Sequence, residues 1–182
     1  MTAPALGIVE TSSIARGLVV ADAMVKRAPV RLLETRTVSP GKYLVIVVGQ
    51  VADVEEAMQA GVAAAAHTLV DRLFLPQAHA ELPGALGGTA EPGPIDSLGV
   101  IETFTVASTV LAADAAAKAA AVRLVEMRLG NGLGGKAFVV MTGVLDQVEA
   151  GVAAGCAAVA HGLLVGSEII PAPHEDLSRK LV

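Results

Sequence analysis

The feature that most constrains this chain is an internal repeat. Leu6-Gly7-Ile8-Val9-Glu10-Thr11 returns as Leu98-Gly99-Val100-Ile101-Glu102-Thr103. Ala21-Asp22-Ala23 with Lys26 returns as Ala113-Asp114-Ala115 with Lys118, and Val30-Arg31-Leu32-Leu33-Glu34 as Val122-Arg123-Leu124-Val125-Glu126. Arg36, Lys42, Gly49, Glu55, His67, Pro76 and His79 find partners, in order, in Arg128, Lys136, Gly143, Glu149, His161, Pro171 and His174. Chance similarity between Ala-rich segments does not keep charges and glycines in register over this length. The chain is therefore read as one small unit written twice, with domains at residues 1–80 and 98–182. The stretch 81–97 joins them, and its Pro83, Pro92, Pro94 and several glycines mark a turn-rich connection with little periodic structure.

Each copy reads as β-α-β-β-α-β. A short apolar strand (Leu6 to Val9; Leu98 to Ile101) leads into a helix. In that helix Ile14, Leu18, Ala21 and Val25 share one apolar face, as do Val106, Val110, Ala113 and Ala117 in the second copy. A strand from Val30 to Arg36, a turn at Val38 to Lys42 and an apolar run from Tyr43 to Val48 follow, the run ending at Gly49. A second helix carries Val54, Met58, Gly61, Val62 and Ala65, and a strand from Leu69 to Leu75 closes the unit. The fold class is mixed α/β (α+β): ferredoxin-like units with helices packed on a mainly antiparallel sheet. The small residues of the second helix permit close backbone approach.

Composition narrows the function. Of 182 residues, 53% are apolar but only 2% aromatic, so the apolar content is aliphatic and exceeds what one small interior absorbs. A membrane is a poor destination for the surplus. The charge-free run from Ala150 to Ser167 is mostly Ala and Gly and holds His161, while its counterpart is broken by Glu55, Glu56 and Asp71. Glu10 and Arg16 interrupt any secretory leader. Subunit contacts are the better destination. A net charge of −5 with scattered basic residues argues against nucleic acid. Cys156 is the sole cysteine, which excludes an intrachain disulfide and fits the cytosol.

No catalytic constellation stands out. Gly130-x-Gly132-x-x-Gly135 spells a dinucleotide fingerprint, but that mechanism needs the loop to open a helix. Here Lys136-Ala137-Phe138-Val139-Val140-Met141 continues as a strand, as does the chain after Ser39-Pro40-Gly41-Lys42, so a strand–turn–strand loop is the reading. His67 and His161, placed late on the second helix, and His79 and His174 lack metal-ligand spacing and are expected to make structural hydrogen bonds. Cys156 reads as a small packed residue of an Ala-rich helix. Ser12, Ser13 and Ser39 lack the context of an activated nucleophile, and Glu10 and Glu102, duplicated at equivalent strand ends, read as structural. Lys26 and Lys118, from their residues alone, are solvated lysines near a helix C-terminus.

The residues resemble the bacterial microcompartment domain. The likeness is carried by Leu6 to Thr11, by Ala21-Asp22-Ala23-Met24-Val25-Lys26, by the Gly-ended strand Lys42 to Gly49 and by the closing Ile170-Pro171-Ala172-Pro173-His174. Both halves are covered. The tandem arrangement is similar to the trimeric class of that family, nearest to its propanediol-utilisation members. The resemblance implies a structural shell protein with no enzymatic turnover: a homotrimer whose six domains form a pseudohexameric tile around a central pore. Val38, Ser39, Pro40 and Gly41, with Gly132, Leu133, Gly134 and Gly135, are then the pore-lining residues, offering a small, mildly polar rim for small polar metabolites. Lys26 and Lys118 become tile-edge contacts to other shell proteins. Encapsulated enzymes are a further partner class, and the location is the shell of a cytoplasmic microcompartment. The unpermuted strand order implies a single-layer trimer. In cluster-bearing relatives a cysteine stands at the place of Ser39 and three of them hold an iron–sulfur cluster. Serine ligates iron poorly beside thiolate, so no cofactor is expected here. Ala172 replaces an arginine that reaches across tile edges in many hexameric members. The alternative is a trimeric ferredoxin-like enzyme or ligand-binding regulator, which should carry an asymmetric polar cluster in one copy only.

Overall fold

The structure, a computed structural model, describes residues 4–88 and 93–181. Pro92 of the connection lies outside the described residues. The chain divides into two compact units. The first holds the residues up to Ala78 together with Gly130–Gly135, and the second holds His79–Leu129 and the residues from Lys136 onward.

In the first unit β1 (Ala5–Thr11), β2 (Arg31–Val38), β3 (Lys42–Gly49) and β4 (Leu69–Leu75) form an antiparallel sheet in the order β2-β3-β1-β4. The expected ferredoxin-like arrangement is present. β1 is central, and all seven of its residues are buried, Glu10 among them. Helices α1 (Ile14–Arg27) and α2 (Val51–Ala65) pack on each other and on the sheet. Ser13 starts α1 by accepting the Arg16 N–H on its side chain. A Cβ on Gly61 of α2 would lie 2.7 Å from Met24 Cγ, so the close helix approach requires glycine there.

The side of α1 that meets the core is not the expected one. Gly17, Val20, Ala21 and Met24 are buried, whereas Ile14, Leu18 and Val25 are 41%, 56% and 38% exposed. Two apolar stripes run along this helix, and periodicity cannot say which of them meets the sheet. On α2 the buried residues are Val54, Ala57, Met58, Gly61 and Ala65, with Val62 half-buried.

The second unit opens with a five-residue helix, α3 (Leu82–Leu86), which interrupts the connection expected to lack periodic structure. Its Leu82 and Ala85 are buried, and it packs on the later helix α4 (Val106–Ala119) and strand β6 (Arg123–Arg128). Glu81 fixes it by accepting the Leu124 N–H at 2.7 Å. With β5 (Ser97–Thr103), β7 (Ala137–Gly143) and β8 (Leu164–Ile170), β6 builds a second antiparallel sheet in the order β6-β7-β5-β8. The duplication extends to its irregularities. Pairing slips between Glu10 and Thr11 and again between Glu102 and Thr103, and between Leu32 and Glu34 as between Leu124 and Glu126. Helix α5 (Leu145–Ala158) packs on α4, and α6 (Glu175–Ser178) follows β8. On α4 the stripe Val106, Val110, Ala113 and Ala117 is wholly buried.

Candidate pore loops and edge lysines

The first candidate loop is the tip of the β2–β3 hairpin. Val38 pairs with Lys42, and Gly41 N donates to Val38 O at 3.0 Å. Gly41 sits at φ +115°, a left-handed conformation that side-chain-bearing residues avoid, and the Ser39–Pro40 peptide is cis. The loop between β6 and β7 turns through Gly130, Gly132, Gly134 and Gly135, with φ between +61° and +89°. It enters strand β7 rather than a helix, so it lacks the helix N-terminus that a dinucleotide pyrophosphate requires.

These loops meet within the first compact unit. Ser39 N donates to Gly130 O at 3.3 Å, and Gly132 N donates to Ser39 Oγ at 3.1 Å. Lys42 Nζ donates to Gly135 O at 2.9 Å and pairs with Glu10 Oε2 at 3.0 Å. Pro40, Gly41, Gly132 and Gly134 are exposed, Ser39 and Leu133 half-buried, and Val38 and Gly135 buried behind the tip. Sequence reasoning left Lys42 and Glu10 out of the site. The signal was present: in both copies a lysine follows the loop glycine and a glutamate ends the central strand.

The edge lysines end equivalent helices in unequal settings. On α1 Lys26 Nζ pairs with Asp22 Oδ2 at 2.7 Å, with side chains 74% and 59% exposed. On α4 Lys118 Nζ pairs with Asp114 Oδ2 at 2.6 Å, but here the side chains are 44% and 5% exposed. Asp114 Oδ1 also accepts the His79 N–H at 2.8 Å, so a buried carboxylate holds both the lysine and the entry to the second unit.

The remaining candidates have structural settings. His79 Nδ1 accepts the Glu81 N–H and His174 Nδ1 accepts the Asp176 N–H, each two residues on. His67 lies in the 3₁₀ turn Ala66–Thr68 and His161 in a turn after α5, both beyond the helices expected to carry them. Each helix unwinds before its histidine. Cys156 is on α5 but half-buried rather than enclosed. Glu102 pairs with Lys136 at 3.0 Å. Among the described residues no group of three or more His, Cys, Asp or Glu could hold a metal ion, and no helix is long and apolar enough to cross a membrane.

Comparison with known proteins fits this duplicated architecture. The BMC domain model matches residues 5–78 and again 97–173. The bacterial microcompartment shell protein PduT of Citrobacter freundii is 40% identical over 179 residues, covering 98% of this chain and 97% of that one. The carboxysome assembly protein CcmO of Synechococcus elongatus is 32% identical over 193 residues, covering 98% of this chain and 69% of its own length. The crystal structure of a microcompartment protein from Desulfitobacterium hafniense superposes with a TM-score of 0.89 at 46% identity, covering 98% of this chain and 99% of that one. With the domain matched twice and a full-length shell-protein relative, the chain belongs to the BMC domain family, as a tandem-domain shell protein of bacterial microcompartments.

Proposed function

We propose that three copies of this chain, each with domains at residues 1–80 and 98–182 joined by 81–97, assemble into a pseudohexameric tile whose central pore is rimmed by the two glycine loops. The observation that carries this reading is the meeting of those loops. Ser39–Gly41 and Gly132–Gly135 come from the same position of two copies of one domain, and they lie side by side, joined by the hydrogen bonds of Ser39 and Lys42. A threefold repetition of this pair makes a ring of six. Its rim is Ser39, Pro40, Gly41, Gly132, Leu133 and Gly134, with Val38 and Gly135 backing it. Backbone groups and one hydroxyl give a narrow, uncharged, mildly polar passage, suited to passive conduction of small polar metabolites. The tile sits in the shell of a cytoplasmic microcompartment, meets other shell proteins edge to edge through Lys26 and Lys118, and faces the encapsulated enzymes.

Ser39 does not suit an iron–sulfur cluster. Its Oγ is engaged by the Gly132 N–H, an alcohol is a weak iron ligand, and Cys156 is on α5 in the second unit. Light scattering after size exclusion tests the assembly and should return about three chain masses of 18.3 kDa. A monomer rejects the tile. Anaerobic reconstitution with iron and sulfide should leave the visible spectrum featureless, whereas Ser39→Cys should gain charge-transfer bands. A stoichiometric cluster in the unaltered protein rejects the assignment of Ser39.

A further inference from the structure

The duplication gives each copy of the domain one lysine just after the loop glycine and one loop presenting that glycine's carbonyl: Lys42 and Gly41 in the first, Lys136 and Gly135 in the second. One lysine–carbonyl pairing is made inside the first unit. Lys42, steadied by Glu10, donates to Gly135 O, with the two side chains 13% and 1% exposed. The other pairing is open. Lys136 Nζ reaches Glu102 at 3.0 Å, yet these side chains stay 41% and 39% exposed, and among the described residues no carbonyl accepts from Lys136. Gly41 is exposed, and among the described residues its carbonyl accepts no hydrogen bond. The helices show a second asymmetry. Ile14, Leu18 and Val25 of α1 are open, while their counterparts Val106, Val110 and Ala117 on α4 are 0%, 0% and 8% exposed.

We infer that Lys136 and Glu102 form the junction between neighbouring chains, with Lys136 Nζ donating to Gly41 O of the next copy and the open stripe of α1 packing in the same junction. This rests on the assembly proposed above. The occupant is a second copy of the chain, because the unused lysine and the unused carbonyl are the same pair of groups already joined once. A contact between two different surfaces of identical chains runs head to tail, and such contacts close into a ring when the rotation from copy to copy closes, as the threefold tile proposed above requires. Glu102 keeps Lys136 partnered while assembly withdraws it from water, as Glu10 does for Lys42. One contact is not repeated. Counting back from each lysine, Leu133 stands where Ser39 stands, so the hydroxyl that receives Gly132 N has no counterpart between chains.

The test compares lysine reactivity and trimer strength in the full chain. Under reductive methylation of the assembled protein, Lys136 should react at least about tenfold more slowly than Lys26 and resemble Lys42. Reaction as fast as Lys26 overturns the inference. Lys136→Met should weaken assembly about tenfold per junction, roughly a thousandfold in the trimer association constant by sedimentation equilibrium, since a charge-assisted hydrogen bond is lost three times. Lys136→Arg should restore most of it. Lys42→Met should instead lower the melting temperature of the chain. A wild-type monomer defeats the assembly reading itself, whereas a wild-type trimer that Lys136→Met leaves at full strength defeats the junction alone.

Discussion

The two copies of the domain share a topology and a register but not an environment. Helix α4 buries ten residues and α1 four. Asp114 is enclosed where Asp22 is exposed, while the Glu10–Lys42 pair is enclosed where Glu102–Lys136 is open. In the second copy α3 packs on α4 and β6. A duplicated sequence thus yields two sets of surfaces, and a group left open in one copy is marked by its buried twin in the other. Within one chain, burial differences between equivalent residues point to where a further molecule fits.

The strongest way to break this comparison is to exchange core solutions between the copies. A Cβ on Gly17 would lie 2.4 Å from the Tyr43 ring, whereas the matching positions of the second copy hold Thr109 and Ala137, both fully buried. Large against nothing and medium against small are two ways to fill one layer. Gly17→Thr should destabilise the first unit by about 1–3 kcal/mol or more. Added to Tyr43→Ala, itself costing about 3–5 kcal/mol, it should be largely forgiven, with a coupling of about 0.5–3 kcal/mol in urea titrations. Strict additivity would mean that the two copies do not share a packing layer.

A smaller effect separates the two aspartates. Asp114→Ala removes the acceptor for His79 N and the partner of Lys118, leaving a part-buried N–H without its bond, and should cost about 1–3 kcal/mol. Asp22→Ala removes an exposed pair and should change stability by less than about 0.5 kcal/mol. Equal thermal shifts in the two variants would show that the enclosure of Asp114 carries no energetic weight.

The sequence disclosed what is periodic or repeated. The strands and the four long helices follow from the duplication and from glycines that only turns require, whereas the grouping of Ser39 with the second glycine loop is implied only by the resemblance to the microcompartment domain. It did not disclose which stripe of α1 faces inward, because Gly17 covers little area and yields its importance only once Tyr43 is known to lie against it. Nor did it distinguish Lys26 from Lys118. Both follow Asp-Ala-x-x, and only tertiary contacts, through His79 and α3, enclose one aspartate and not the other. Periodicity reports which residues share a face, and burial is decided by what arrives from elsewhere in the chain.

The edge lysines give the finest test of the comparison. Lys26→Ala should change the melting free energy by less than about 0.5 kcal/mol, since it loses an exposed ion pair, while Lys118→Ala should cost about 1–3 kcal/mol, since it takes the ammonium from the buried Asp114 carboxylate. In the proposed assembly their weight lies between tiles, where each contact would be worth on the order of 1 kcal/mol and would be repeated around the rim. Lysine loses up to about 2 kcal/mol of rotamer freedom when fixed. Lys118 has met part of that cost already, because buried Asp114 holds its ammonium while 44% of the side chain stays exposed. An ammonium carries three donors, so Lys118 can cap a neighbour's carbonyl without leaving Asp114. Lys26, 74% exposed beside an Asp22 that is itself 59% exposed, must be ordered afresh. Lys118→Ala should therefore reduce sheet formation more than Lys26→Ala in sedimentation and negative-stain imaging. The double variant should abolish sheets while trimer mass is unchanged. Sheets that persist in the double variant assign the lateral contact to another surface, and trimers that dissociate place these lysines inside the trimer. Equal single effects would show that the ordering by Asp114 does not reach the edge.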